Sequence, residues 1–457
     1  MIIKNGYVVT EEGVLHTDVR IENGLIAEIG VGLTGGEIID AADKYVLPGG
    51  IDVHTHLCLD VGIAVAQDDF YTGTVAAACG GTTTIVDHPG FGPAGCALDH
   101  QIKHYHTLAA GNAVIDYSFH GVMQHVDSGV LNMMEMLIDE GITSHKVYMT
   151  YGFKISDEDI YAVLRRAKEL GVMITVHPEN DGLVNTRRRE LSESGCTAPK
   201  YHAVSRPEPC EAEAISRMTQ ISAVAGDAPL YIVHLSGHLG MQYINLAKQN
   251  GLKNLFAETC PQYLLLDDSY YQREDGLKYV LSPPLRDKAN NALLWEDIRK
   301  GDIDTVATDH CPFDYTLKTK LGGGDFTKCP NGMPGVELRF PLMFSEGVMK
   351  ERISPVQFAK ICSANPAKLF GMYPQKGIIR PGSDADIVII DPGKQYTVTH
   401  GRLHENVDYT PYEGIRMQGS IDCVISRGDV VAWHNEFAGQ KGRGRFIKRG
   451  RPMLSVK

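Results

Sequence analysis

A chain of 457 residues, 43% hydrophobic and 22% charged, has an ordinary globular composition, too long for one small core and free of the like-charge blocks of a disordered tail. Its formal charge of -12 argues against nucleic acid or anionic membrane as a main partner, because both attract Lys and Arg patches. The basic cluster from Lys441 to Arg451 reads as a terminal arm, either solvated or touching another subunit.

The opening residues Met1-Ile2-Ile3-Lys4-Asn5-Gly6 lack a charged region followed by an apolar stretch and a small-residue cleavage site. No apolar run reaches membrane-spanning length, so the expected location is the cytoplasm. Ten cysteines scattered from Cys58 to Cys423, without a C-x-x-C pair, are expected to be reduced and mostly buried.

Residues 2–4, 7–10, 19–22 and 25–29 read as short strands, with Asn23-Gly24 as a hairpin turn. Towards the other end, 386–390 is an apolar run after Gly382-Ser383, and 424–433 straddles Arg427-Gly428-Asp429 as another hairpin. Two β-rich ends around a different middle predict that both termini meet in one sandwich, since a sheet must bury a face. The division is therefore 1–49 plus 372–457 as a β-sandwich domain, with an arm over 436–457, and 50–371 as the catalytic domain.

The middle alternates β-branched runs with helix-like segments, the pattern of a parallel sheet. Eight strands can be counted, at 51–56, 82–87, 114–120, 145–149, 172–177, 230–234, 254–260 and 304–309. Eight closes a (β/α)8 TIM barrel, an α/β fold whose usual size is about 250 residues. Helices are expected between the strands, among them 157–170, with Ser156 as N-cap, and 210–225.

The polar residues then fall into place. His54 and His56 end the first strand, Lys146 lies in the fourth, His177 ends the fifth, His234 the sixth and Asp309 the eighth. Strand ends of a barrel converge on one face, so residues distant in sequence point into one cavity. His54 and His56, two apart on a strand, face the same side and can ligate one ion together. An H-x-H alone is weak evidence; four histidine or aspartate endings on apolar strands are not.

Several segments resemble the amidohydrolase superfamily and, within it, hydantoinases and dihydropyrimidinases. They include Pro48-Gly49-Gly50-Ile51-Asp52-Val53-His54-Thr55-His56, Asp68-Asp69-Phe70, Lys146-Val147-Tyr148-Met149-Thr150-Tyr151, His177-Pro178-Glu179-Asn180, Glu258-Thr259-Cys260-Pro261, Ser282-Pro283-Pro284-Leu285-Arg286 and Pro330-Asn331-Gly332-Met333-Pro334-Gly335. The likeness spans nearly the whole chain, and Gly90-Phe91-Gly92-Pro93 and Glu179-Asn180 look nearest to bacterial phenylhydantoinases.

That resemblance implies two divalent ions, Zn2+ first with Mn2+ or Co2+ as alternatives. The buried ion is held by His54, His56 and Asp309 and the more exposed one by His177 and His234. Lys146 bridges them as N6-carboxylysine, formed with carbon dioxide. A carbamate offers two anionic oxygens and suits metals ~3.5–4 Å apart. Asp309 would also serve as general base, Tyr151 as oxyanion donor, and Ser282 and Asn331 as holders of the ring's ureide edge. Leu59, Ile63, Phe91 and Phe153, in loops over the exocyclic substituent, could enclose an aromatic group or merely cover the barrel mouth.

The implied reaction is hydrolysis of a 5-monosubstituted hydantoin, D-configured and with an aromatic side chain favoured, to an N-carbamoyl amino acid. Dihydropyrimidinase activity, or opening of another purine- or pyrimidine-derived ureide, is the alternative, because loops decide ring size. Dihydroorotase and allantoinase are disfavoured for want of a matching arginine pattern. A non-enzymatic assembly protein of the same fold is disfavoured because all six ligand positions carry competent residues. The family likeness also carries the expectation of a homotetramer, or a homodimer.

Overall fold

A computed structural model describes residues 1–455. Eight parallel strands close its barrel: Gly50–Thr55, Thr82–Asp87, Asp116–Phe119 continuing as Gly121–Val122, Ser144–Tyr148, Met173–His177, Leu230–Ile232, Leu255–Thr259 and Thr305–Val306. A bridge between Thr55 and His310 joins the last strand to the first. Strands one, two and five are buried at every position, which explains why they read as apolar runs without alternation.

The strands lie where the pattern placed them, but the sixth and eighth stop early. His234 and Asp309 lie just past the strand ends, with φ of 40° and 55°. Both leave the extended conformation at the point where their side chains turn into the cavity.

The helix Asp157–Leu170 shows how local chemistry sets an element. Ser156 Oγ accepts from Asp159 N at 3.0 Å, and acidic residues fill the first turn, where the helix dipole favours them. Ile160, Val163, Leu164, Ala167 and Leu170 bury one face, and Gly171, at φ 68°, ends the helix. The helix expected at 210–225 spans Glu208–Val224. Its first turn contains Pro209, which a helix start tolerates because that N–H needs no partner.

Nine strands from both ends of the chain form one sheet, and its seam is the antiparallel pairing of Tyr45–Pro48 with Ile387–Thr397. Bulges, among them those between Ile3 and Gly6 and between Asp391 and Gln395, bend the sheet. Ile3, Val8, Val19, Val46, Ile387 and Ile389 are buried in the core of the resulting β-sandwich, separate from that of the barrel. The hairpins turn at Asn23-Gly24, with φ of 53° and 80°, and at Arg427-Gly428, with 43° and 80°. Two-residue hairpin loops require this left-handed pair.

The C-terminal stretch, expected as an arm, is fastened to its own barrel. Residues 444–450 lie along their own barrel: Gly444 N donates to Ala113 O at 2.9 Å, Ile447 N to Tyr117 O at 2.7 Å and Arg449 N to Gly141 O at 3.1 Å. A Cβ at Gly444 would collide with Ile115 O, so glycine is required there. Part of the charge turns inward: Arg449 is buried and donates to Ser118 Oγ at 2.9 Å and Phe119 O at 2.5 Å, while Lys441, Arg445 and Lys448 stay exposed. Phe446 packs edge-on against Tyr117, an anchor that the count of basic residues hid.

All ten cysteines are unpaired and seven are buried. Among the described residues, no helix is long and apolar enough to cross a membrane.

Candidate metal centre and substrate pocket

The six residues singled out at the strand ends line one cavity of about 360 Å³ at the barrel mouth: His54, His56, Lys146, His177, His234 and Asp309. Asp309 Oδ1 lies 3.1 Å from both His54 Nε2 and His56 Nε2. His54 Nε2 is nonetheless buried without an aligned hydrogen bond. A cation placed between these groups would satisfy both of them. His177 Nδ1 and His234 Nε2 form a second pair, 2.8 Å apart.

Buried carboxylates fix the opposite nitrogens. His54 Nδ1 donates to Glu258 Oε1 at 2.7 Å, and His177 Nε2 to Glu179 Oε2 at 2.8 Å. A carboxylate behind a histidine sets its tautomer, turns the free nitrogen forward and raises its basicity as a ligand. Glu258 also accepts from His234 N at 2.9 Å and from Tyr231 Oη at 2.8 Å, so one side chain of the seventh strand orients residues on the first and sixth.

The electrostatics suit a cation site. Burial alone would raise Asp309, yet His54 and His56 hold its carboxyl well below the usual carboxylate range. Burial lowers the Lys146 ammonium to about 8, against the pull of Asp309 and Glu258. The amine is therefore accessible in its neutral form near physiological pH. Buried nitrogens without partners are costly, and divalent ions satisfy such lone pairs. The donor set thus fits a pair of metals.

Tyr151, Ser282 and Asn331 line the same cavity and are linked to one another. Tyr151 shares a hydrogen bond with Ser282, and Asn331 Nδ2 donates to Ser282 Oγ at 2.8 Å. Burial raises the Tyr151 phenol, with Arg206 opposing, so the hydroxyl keeps its proton and can donate. Tyr151 holds φ at 71°, as His234 and Asp309 hold positive φ, a conformation costing about 1 kcal/mol or more per residue. Strain of this kind collects where side-chain direction matters more than stability.

Leu59, Ile63, Phe91 and Phe153 also line the cavity. Phe91 stacks on Phe153, with centroids 3.5 Å apart and planes at 13°. Ile63 and Phe153 are exposed, as expected of loops at the mouth.

Four residues were not singled out from the sequence. His88 is fully buried, both its ring nitrogens lack partners, and its ligand atoms group with those of His54 and His56 within 4.8 Å. It follows the second strand directly, so the rule that found the other histidines would have found it one residue beyond 87. Glu258 and Glu179 sit inside quoted motifs but had no partner assigned. Arg206 has no local signal at all: it pairs with Glu179 at 2.5 Å and lies over the Tyr151 ring at 5.7 Å.

Glu258→Gln is expected to weaken metal affinity about 10–100-fold while the barrel stays folded. Metal content after dialysis against a graded chelator measures this; unchanged retention would remove Glu258 from the site.

The sequence profile of the Amidohydrolase family matches residues 45–431. This chain belongs to the amidohydrolase family. Membership implies a binuclear metal centre. The amidohydrolase is 52% identical over 452 residues to the D-phenylhydantoinase of Escherichia coli, covering 98% of each chain. Its fold superposes on a dihydropyrimidinase from Brevibacillus agri with a TM-score of 0.96, 45% identity and 99% of both chains covered. A D-hydantoinase from Bacillus sp. AR9 gives 0.96 at 46% identity, with 98% of this chain and 99% of that one covered. Within the family, the chain therefore groups with hydantoinases and dihydropyrimidinases.

Proposed function

We propose that this amidohydrolase opens the cyclic amide of 5-monosubstituted hydantoins, D-configured and with an aromatic side chain favoured, to give N-carbamoyl amino acids. The observation that carries the reading is one cavity lined together by six metal-competent residues, by the hydrogen-bonding groups of Tyr151, Ser282 and Asn331, and by the loop aromatics Phe91 and Phe153. The likeness to a protein named D-phenylhydantoinase agrees with it.

His54, His56 and Asp309 would hold one ion, His177 and His234 the other, with Lys146 between them as its carbamate. Two divalent ions held there, Zn2+ by preference, would supply Lewis acidity towards the scissile carbonyl and would make water a nucleophile at neutral pH. When a neutral Lys146 amine attacks carbon dioxide, an N–C bond forms as one C=O π bond opens to an anionic oxygen, and the nitrogen's proton passes to solvent, which gives the carbamate. Asp309, held ionised, takes the proton of the attacking water and delivers it to the departing ring nitrogen. Tyr151, held protonated, donates to the oxygen of the attacked carbonyl as charge develops there. Ser282 and Asn331 orient the ureide edge, and Leu59, Ile63, Phe91 and Phe153 enclose the substituent.

The superposition on a protein named dihydropyrimidinase supports a second reading, a six-membered ring as substrate. A panel of D- and L-5-phenylhydantoin, unsubstituted hydantoin, dihydrouracil and purine-derived ureides decides between them. The largest kcat/KM is expected for D-5-phenylhydantoin. Preference for dihydrouracil would replace the hydantoin reading. Inactivity on every member after loading with metal and bicarbonate would reject cyclic-ureide hydrolysis altogether.

A further inference from the structure

Lys318 is a buried cation without an anion. It projects from the helix Tyr315–Gly322, its side chain is fully enclosed, and among the described residues no carboxylate pairs with it. Its three N–H groups are shared instead among four main-chain carbonyls: Gly332 O at 2.6 Å, Val280 O at 3.0 Å, and Leu277 O and Lys278 O at 3.3 Å each. An ammonium buried among neutral dipoles is costly, and methionine or leucine would fill the same space without that cost. Burial lowers this ammonium to about 8, and the thiols of Cys329 and Cys311 are the titratable groups acting on it.

The four carbonyls belong to two segments. Leu277, Lys278 and Val280 lead into Ser282, whereas Gly332 follows Asn331. Gly332 N donates to Val280 O at 3.0 Å, so the segments are joined at this point and the ammonium sits across the joint. Two residues beyond Val280 and one before Gly332, the side chains of Asn331 and Ser282 meet at 2.8 Å on the cavity wall. Tyr409, from the sandwich side, donates to Lys278 O at 3.0 Å and braces the same turn.

We propose that Lys318 is a positioning residue for ring recognition, its ammonium holding the 277–282 and 331–332 segments at the separation at which Ser282 and Asn331 together read the ureide edge of the substrate. The inference rests on the reading of this cavity as a cyclic-ureide site. Lys318 touches neither the metal ligands nor the reacting bond, so its loss should be felt in binding and not in the chemical step.

The test compares wild type with Lys318→Met and Lys318→Gln on 5-phenylhydantoin and on unsubstituted hydantoin, with metal content measured for each protein. Lys318→Met is expected to raise KM about tenfold on both substrates, with kcat within about threefold and two metals retained, because the loss lies in shared ring contacts. Lys318→Gln, whose amide keeps two N–H donors, should fall between the two, and it carries the test if the methionine variant does not fold. Unchanged KM in a folded variant, a fall in kcat at constant KM, or loss of metal would each overturn the proposal. A KM change confined to the phenyl substrate would overturn it too, by assigning the residue to the substituent. A wild type that opens neither hydantoin would instead reject the functional reading on which it stands.

Discussion

Asp309→Asn is expected to lower kcat at least about 10³-fold, roughly 4 kcal/mol of barrier, while the protein remains folded. The replacement keeps shape and volume but removes both the charge and the capacity to accept a proton. Asp309 is unusual in being close to two histidine nitrogens at once, each 3.1 Å from the same oxygen. Its backbone stands at φ 55°, and His310 beside it is tied to Asp68 at 3.0 Å, so its placement is fixed from behind and survives the substitution. Circular dichroism, metal content and kcat on 5-phenylhydantoin together make the check. A variant that keeps two metals and more than a tenth of the wild-type rate would remove Asp309 from proton transfer.

Lys146→Ala is expected to abolish turnover and release metal. Lys146 lies in the fourth strand, is 1% exposed, and faces a cavity whose other candidate ligands fall into two groups, His54, His56 and Asp309 in one and His177 and His234 in the other. Without an anionic bridge, two dications in one cavity repel, and the loss of one of them is the expected result. A small carboxylate such as acetate, added with metal, can enter the space left by the side chain and should restore measurable activity. Wild type loaded with isotopically labelled bicarbonate should show a carbamate carbon signal that the alanine variant lacks. Two metals held tightly by Lys146→Ala, with activity retained and no effect of acetate, would reject the bridging role.

Much of this was legible in one dimension, for a definite reason. The barrel could be counted because parallel strands buried on both faces become continuous apolar runs, and because helices such as Asp157–Leu170 begin and end on residues that satisfy their own backbone. The histidines could be picked out because a polar side chain closing an apolar strand has little reason to be there unless it has a ligand. Where this logic was applied one residue too narrowly, His88 was missed. Where composition stood in for geometry, the docking of the basic tail on its own barrel was missed: Arg449 donates to Phe119 O and Arg443 to Val114 O, each more than 300 residues away.

The chain order alone settled which residue types end which strands, and through them the kind of chemistry the cavity can perform. Partnership between residues distant in sequence was decided only by folding. Glu258 behind His54, Arg206 over Tyr151, and Lys318 across the joint that carries Ser282 and Asn331 are contacts between segments whose spacing along the chain has no period. A hydrogen bond depends on separation in space, and closing a barrel brings together groups that no local pattern relates. For this protein, the candidate ligands stand at the strand ends in the sequence, while the side chains that orient them became visible only once the barrel had closed.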